Sequence, residues 1–137
     1  MTTSLPLRFT HLTPGEISLA RAFIEKNPIN ATGWRFDEHL GEGMPIVPTW
    51  PAYIAYMAKT LTQRRVDMIG ETPQGEWIIE LKERGNIHAV GQLLVYAALY
   101  LEKYPTRPAP RLALVAHLLG FDLESSLHQF NIVYFQI

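Results

Sequence analysis

The spacing of apolar residues predicts that helices and strands alternate along the chain. Thr13-Pro14-Gly15-Glu16 is typical of a helix start, with a Thr cap, Pro at the first helical position and Glu completing a capping box. Apolar residues then recur at helical spacing until Asn27-Pro28, where the helix should end. From Trp34 to Leu40 apolar and polar residues alternate, which indicates a strand that Gly41-Glu42-Gly43 closes.

A loop, a short helix and a hairpin are expected next. The three prolines between Met44 and Pro51 predict an ordered loop, and helical spacing from Ala52 to Leu61 predicts a second helix. The segments Arg64 to Ile69 and Glu76 to Lys82 are strand-like. Between them, Thr72-Pro73-Gln74-Gly75 has Pro at the second and Gly at the fourth position of a type I turn, so the two strands should form a β-hairpin.

The strongest helical pattern runs from His88 to Lys103 and ends at a proline-rich stretch. Its core-facing side is expected to consist of Leu93, Leu94, Ala97, Ala98 and Leu101. A buried strand from Arg111 to Ala116, a helix or turn from Leu119 to Gln129 and a last strand from Ile132 to Ile137 follow. This order predicts an α/β fold of the mixed α+β kind, with one sheet and flanking helices.

Length and composition narrow the class of protein. The 137 residues, 47% of them hydrophobic, suffice for one well-filled core, so residues 1–137 are expected to form a single domain. The absence of cysteine excludes disulfides, thiolate zinc sites and thiol nucleophiles. The first residues lack the pattern of a signal sequence, and no apolar stretch reaches the ~20 residues of a membrane span. We therefore expect a soluble, cytoplasmic protein without a membrane partner.

The charge distribution bears on nucleic-acid binding. A formal net charge of -1 argues against a general polyanion binder. However, most of the 12 Lys and Arg residues are clustered in the middle of the chain, namely Lys59, Arg64, Arg65, Lys82, Arg84, Lys103, Arg107 and Arg111. This cluster predicts a locally positive face toward phosphates, although a scattered, solvated surface explains any single one of these cations equally well.

The hairpin predicts a pair of carboxylates. A two-residue turn at Pro73-Gln74 sets a register in which Asp67 lies opposite Glu80. Opposed side chains have Cβ atoms about 5 Å apart, so the two charges should repel and one should have a raised pKa. A divalent metal bound between them would relieve this repulsion.

A lysine is expected beside this pair. Because side chains alternate along a strand, Lys82 should emerge on the same face as Glu80, while Trp77, Ile79 and Leu81 point into the core. Two carboxylates that hold Mg²⁺ and a lysine that stabilises charge suit phosphodiester hydrolysis. A Glu-x-Lys tripeptide alone is more often a solvated strand face, and the opposed Asp is what favours a site.

The long helix adds polar candidates. Gln92 and Tyr96 are expected to share a face with His88 and Tyr100, opposite the Leu-rich side. Such a face is often only the polar rim of an amphipathic helix, but this helix follows the Lys82 strand closely and should begin near the site. The histidines show no metal-ligand spacing, so no zinc site is expected.

Together, Asp67, Glu80-Leu81-Lys82 and the Gln92 to Tyr96 segment resemble the PD-(D/E)XK nuclease superfamily, and within it the RecB-like branch with a Gln-x-x-x-Tyr helix. The resemblance extends from about Thr13 to Ala116. It implies a restriction-endonuclease-like core of helix, three-stranded antiparallel meander, helix and strand, to which this chain adds a C-terminal strand.

The resemblance also implies roles for particular residues. It implies metal ligation by Asp67, Glu80 and the carbonyl of Leu81, catalysis by Lys82, and support of the site or contact with the DNA backbone by Gln92 and Tyr96. Members of the family often add an acid from the first helix, for which Glu16 is the candidate. The capping box explains Glu16 equally well, and Glu38 is a rival. Val66 replaces the proline of the family pattern.

The resemblance implies a DNA nuclease that depends on Mg²⁺, with Mn²⁺ as a substitute. It would be an endonuclease, or the nuclease subunit of a repair, recombination, restriction or phage system. So short a chain should gain selectivity from a homodimer or a larger complex, and the last strand, apolar on both faces, is expected to contact a second subunit. The alternative is an inactive module of the same fold with a nucleic-acid-binding or assembly role, which the weak net charge favours.

Overall fold

The computed structural model describes residues 11–137. Its elements are α1 (Pro14–Lys26), β1 (Gly33–Leu40), α2 (Ala52–Thr62), β2 (Arg64–Thr72), β3 (Gly75–Gly85), α3 (Ile87–Lys103), β4 (Arg111–Leu119), α4 (Glu124–Gln129) and β5 (Ile132–Gln136). Every predicted helix and strand is present, but β4 extends to Leu119 rather than Ala116, and the predicted helix or turn from Leu119 to Gln129 is helical only from Glu124. The expectation about a signal sequence concerns residues 1–6, which lie outside the described residues.

One mixed sheet organises the chain. Its strand order is β1-β2-β3-β4-β5, in which the first three strands are antiparallel and β3, β4 and β5 run parallel. Helix α3 makes the long connection that parallel neighbours such as β3 and β4 require. The predicted α/β class and the restriction-endonuclease-like order of helix, meander, helix and strand are thus confirmed.

The sheet is covered on both faces by separate apolar clusters. Alternation along β3 sends Ile78 toward α3, and Trp77, Ile79 and Leu81 toward α1, as predicted. The start of α1 is fixed by the predicted capping box: the Thr13 hydroxyl accepts from the Glu16 amide, and the Glu16 carboxylate accepts from the Thr13 amide. This packing places the centre of β3 between the two helices.

The orientation of α3 differs from the sequence expectation. Its buried residues are Ala89, Val90, Leu93, Tyr96 and Tyr100. Ala98 and Leu101 are exposed, and the assignment of the tyrosines to a polar rim is wrong. The reason is that a tyrosine ring buries a large apolar area while its hydroxyl finds a polar partner, here Glu76 for Tyr100. The Gln92 and Tyr96 side of the helix therefore faces the sheet.

Strand β5 owes its apolar character to contacts within the chain. Tyr134 packs on the cluster beneath α3, and Val133, Phe135 and Ile137 pack on the cluster beneath α1. Within residues 11–137 the outer edge of β5 has no partner strand. A second subunit was expected because both faces of this strand are apolar. Packing within one chain accounts for those apolar faces, and the homodimer stays a prediction.

Helix α2 stands apart from this packing. None of its side chains is buried, and Tyr53, Tyr56 and Leu61 are 67%, 70% and 71% exposed. Its end is tied to the preceding loop, where the Thr62 hydroxyl accepts a hydrogen bond from the Met44 amide at 2.7 Å.

Across residues 11–137, no helix has both the length and the apolar character that a membrane span requires.

Candidate active site

The site lies where β2 separates from β3. Their pairing follows the predicted register from Thr72 and Gly75 to Met68 and Ile79, and it ends one pair before Asp67 and Glu80. At that point Oδ2 of Asp67 accepts a hydrogen bond from the backbone N–H of Leu81 at 2.8 Å. The carboxylate takes the place that a β2 carbonyl would fill if the pairing continued, so the strands separate without leaving this amide unpaired.

Glu80 occupies the most protected position of the site. It is 2% exposed, Lys82 Nζ lies 3.6 Å from its Oε1, and its Oε2 is buried with no hydrogen-bond partner in the described residues. Burial, followed by the charge of Asp67, raises the pKa of Glu80 to about 9, although Lys82 acts in the opposite direction. One carboxyl of the pair thus has the raised pKa that the sequence predicts.

A histidine that the sequence analysis did not single out reaches Asp67. His11 Nε2 lies 2.9 Å from Asp67 Oδ1, and its Nδ1 lies 2.9 Å from Asp37 Oδ1. The hydrogen bond with Asp67 raises the pKa of His11, which favours the imidazolium between two carboxylates. His11 and Asp67 are 56 residues apart, and ligand spacing cannot reveal such a contact. The sequence offers one signal of where His11 lies, namely its position shortly before Thr13, the cap of α1.

Asp37 is the acidic residue that the sequence analysis missed. It lies in β1 between Phe36, which pairs with Met68, and Glu38, which pairs with Val66. Its φ of 57° is a left-handed conformation that Asp tolerates better than most residues. Through His11 it is linked to Asp67, so β1 contributes a carboxylate to the surroundings of the site.

The two acidic candidates named from the sequence are engaged elsewhere. Glu16 closes the capping box of α1 with Thr13. Glu38 accepts from Arg35 at 3.2 Å and from the Tyr104 hydroxyl at 3.3 Å, near the far end of α3. In the arrangement of residues 11–137, both side chains therefore serve local structure.

Gln92 and Tyr96 lie on the α3 side of the site. Gln92 Nε2 donates to the Tyr96 hydroxyl at 3.3 Å, as their four-residue spacing permits, and Tyr96 is 4% exposed. Burial, then the charges of Glu80 and Asp67, raise the pKa of Tyr96. The hydroxyl therefore keeps its proton and lies within electrostatic reach of both carboxylates.

The donor set fits a hard divalent cation. Within residues 11–137, no group of three or more His, Asp or Glu side chains is arranged to hold a metal. Mg²⁺ does not require one, because it usually keeps several waters and binds one or two carboxylates. Asp67 and Glu80 supply two carboxylates, and the unpartnered Oε2 of Glu80 is an oxygen that such an ion would satisfy.

Four of the cations in the predicted positive face fall into two groups. The segment from residue 44 to residue 66 contains no Asp or Glu. Its Arg64 and Arg65 lie next to the site, and Nε of Arg65 is 3.8 Å from Oδ1 of Asp37. At the opposite end of β3, Arg107 and Arg111 stack on the rings of Tyr104 and Trp77. Only part of the predicted positive face therefore borders the site.

No protein-family model and no curated protein matches this chain. Among solved structures, the chain is similar to an EndoMS–dsDNA2 complex, with 22% identity and a TM-score of 0.53 over 98% of this chain and 48% of the other. It is also similar to a repair endonuclease from Pyrococcus abyssi, with 20% identity and a TM-score of 0.55 over 95% of this chain and 49% of the other. The chain thus spans about half the length of both proteins and shares its fold with that half.

Proposed function

We propose that the chain is a Mg²⁺-dependent endonuclease domain that hydrolyses DNA phosphodiester bonds. The observation that carries this proposal is the convergence of Asp67, Glu80 and Lys82 where β2 and β3 separate. The fold shared with two endonuclease structures, one of them a complex with double-stranded DNA, supports it. We further propose that a second copy or a larger repair, recombination, restriction or phage assembly supplies substrate selection.

The carboxylates and a backbone carbonyl would hold the ion. Asp67, Glu80 and the carbonyl of Leu81 are the proposed ligands, and Glu80 has to release its proton to serve as one. A bound Mg²⁺ supplies Lewis-acid chemistry, since it acidifies water and polarises a phosphoryl oxygen. Lys82, 3.6 Å from Glu80, stabilises the ionised carboxylate and then the negative charge that develops on the phosphate.

The surrounding residues would orient these groups. The raised pKa of Tyr96 keeps its hydroxyl a donor toward a phosphate oxygen, and Gln92 fixes the position of that hydroxyl. His11 holds one oxygen of Asp67 and thereby turns the other toward Leu81. In this proposal Glu16 keeps its capping role.

The second candidate is an inactive nuclease-fold module that binds nucleic acid or serves an assembly. The raised pKa of Glu80 favours it, because a carboxyl that holds its proton is a poor ligand for Mg²⁺. Cleavage and binding measurements on the same protein distinguish the two functions.

The test is a cleavage assay on supercoiled plasmid, branched DNA and a matched RNA, with Mg²⁺, Mn²⁺ or EDTA. We expect DNA cleavage with either metal, none in EDTA, and loss of cleavage in Lys82→Ala. Arg21→Ala removes an exposed cation of α1 that lies outside the predicted positive face, and it should cleave like the wild type. Undiminished cleavage in EDTA, or cleavage of RNA alone, would contradict the proposal, and DNA binding without cleavage under every condition would support the inactive module.

A further inference from the structure

Gly91 is a glycine that the packing of the fold does not explain. It lies inside α3, where glycine is less stable than alanine, and a Cβ added there meets no heavy atom within 4 Å. Packing explains other glycines: a Cβ on Gly70 would lie 2.6 Å from Ile29, and one on Gly85 would lie 2.9 Å from Leu114. Glycine elsewhere in proteins permits close approach of a ligand to the backbone, and position 91 has open space in which such an approach can occur.

The open space is a surface cavity of about 300 Å³ that adjoins the candidate active site. Gly91 forms part of its wall, together with Ile87 and Val95, which are 79% and 45% exposed. Gln92 and Tyr96 line it as well and so connect it to the carboxylates. The cavity therefore has an apolar wall on α3 and a polar side toward the site.

Two polar groups in the lining have capacity for a ligand. Oε1 of Gln92 is buried and has no hydrogen-bond partner in the described residues, while the other end of its amide bonds Tyr96. Buried polar atoms are normally hydrogen-bonded, so this oxygen has capacity for a hydrogen bond from a ligand. Arg64, at the start of β2, adds a cation that suits a phosphate. Apolar surface, a hydrogen-bonding amide and a guanidinium together match the base, sugar and phosphate of a nucleotide.

We propose that this cavity holds the nucleoside next to the phosphate that is cleaved, an inference that rests on the proposed endonuclease function. Gly91 leaves the backbone of α3 bare, so that the sugar and base lie directly against the helix between Ile87 and Val95. Gln92 hydrogen-bonds the nucleoside, and Arg64 contacts the adjoining phosphate. A side chain at position 91 would occupy the same space as the nucleoside.

The experiment compares Gly91→Ala and Gly91→Leu with Ala98→Leu, which places a leucine at an exposed position of α3 outside the cavity. Gly91→Ala should raise the Tm by about 4 °C, because alanine favours the helix. It should nevertheless raise the KM for DNA cleavage a few-fold. Gly91→Leu should raise KM by about tenfold, the equivalent of about 1.4 kcal/mol. Ala98→Leu should leave KM unchanged.

A second measurement locates the nucleoside. Abasic substitutions are placed one at a time beside the cleavage site, and each DNA is tested with the wild type and Gly91→Leu. At one position the effects of the abasic substitution and of Gly91→Leu on KM should be less than additive, because both remove the same contact. If Gly91→Leu does not fold, Gly91→Ala and the abasic series on the wild type decide the question.

The outcomes separate this inference from the proposed function. If wild-type protein cleaves DNA and both Gly91 variants keep its KM with additive abasic effects, the cavity holds no nucleoside and the endonuclease proposal stands. If the wild type neither binds nor cleaves DNA, the endonuclease proposal fails and this inference fails with it.

Discussion

Replacing Glu80 with Gln should stabilise the metal-free protein, and the gain should grow with pH. In the folded state burial and the charge of Asp67 raise the pKa of Glu80 from 4.5 to about 9. The folded state therefore holds this proton more tightly than the unfolded chain does. The stability linked to the proton is fully present below about pH 4.5 and is lost progressively as the pH rises toward 9.

The size of the effect follows from the same pKa difference. Each pH unit above 4.5 removes about 1.4 kcal/mol, so the wild type has lost on the order of 3 kcal/mol at pH 7. Gln has nearly the same shape as Glu and does not ionise, so it escapes this loss. The amide N–H groups of the substituted glutamine are not all hydrogen-bonded in the buried site, which costs about 1 kcal/mol of folding stability. The net gain at pH 7 is on the order of 2 kcal/mol, or about 8 °C in Tm.

Thermal unfolding followed by far-UV circular dichroism in EDTA at pH 5, 6, 7 and 8 tests this reasoning. The control is Glu83→Gln, an exposed carboxylate on the same strand. The Tm difference between Glu80→Gln and the wild type should be near zero at pH 5 and largest at pH 8, whereas the control difference should be small and flat. Equal differences at pH 5 and pH 8 would refute the assignment of the raised pKa to Glu80.

Four further expectations concern the proposed metal, the proposed catalytic side chains and assembly. Mg²⁺ should raise the Tm of the wild type more at pH 8 than at pH 6, because Glu80 must ionise to bind it. Scanning fluorimetry measures this, and equal increases in Tm at the two pH values would contradict it. Lys82→Ala should bind Mn²⁺ in a calorimeter yet lack turnover, and loss of binding would show that lysine has another role. Tyr96→Phe should lower kcat about tenfold at nearly unchanged Tm, whereas Tyr100→Phe, which breaks the bond to Glu76, should lower Tm and keep kcat. Light scattering should report a dimer, and a strict monomer at high concentration would count against pairing through β5.

The features that sequence reasoning predicts well are the local ones. Turn chemistry at Thr72 to Gly75 sets the hairpin register, and that register is confirmed as far as Met68 and Ile79. Alternation along β3 then fixes the face on which Glu80 and Lys82 emerge. Both signals depend on residues within a few positions of one another, so no knowledge of the tertiary structure is needed.

The features that sequence reasoning misses depend on contacts between distant segments. The face of α3 that meets the sheet is predicted wrongly, because leucines and tyrosines both offer large apolar surfaces and only the sheet beneath selects between them. Likewise, His11 reaches Asp67 across 56 residues. The end of the β2 and β3 pairing is also invisible in the sequence, because it depends on where the Asp67 side chain points.

The break in the sheet and the candidate site have the same origin in Asp67. Its carboxylate bonds the Leu81 amide, and this contact lets the two strands part without an unpaired donor. The gap that results admits Lys82 beside a buried Glu80, and burial raises the pKa of that carboxyl. A site built in this way is less stable when empty and ionised than when a cation neutralises it. The proposed metal would therefore contribute to the stability of the sheet at the same point at which it contributes to the chemistry.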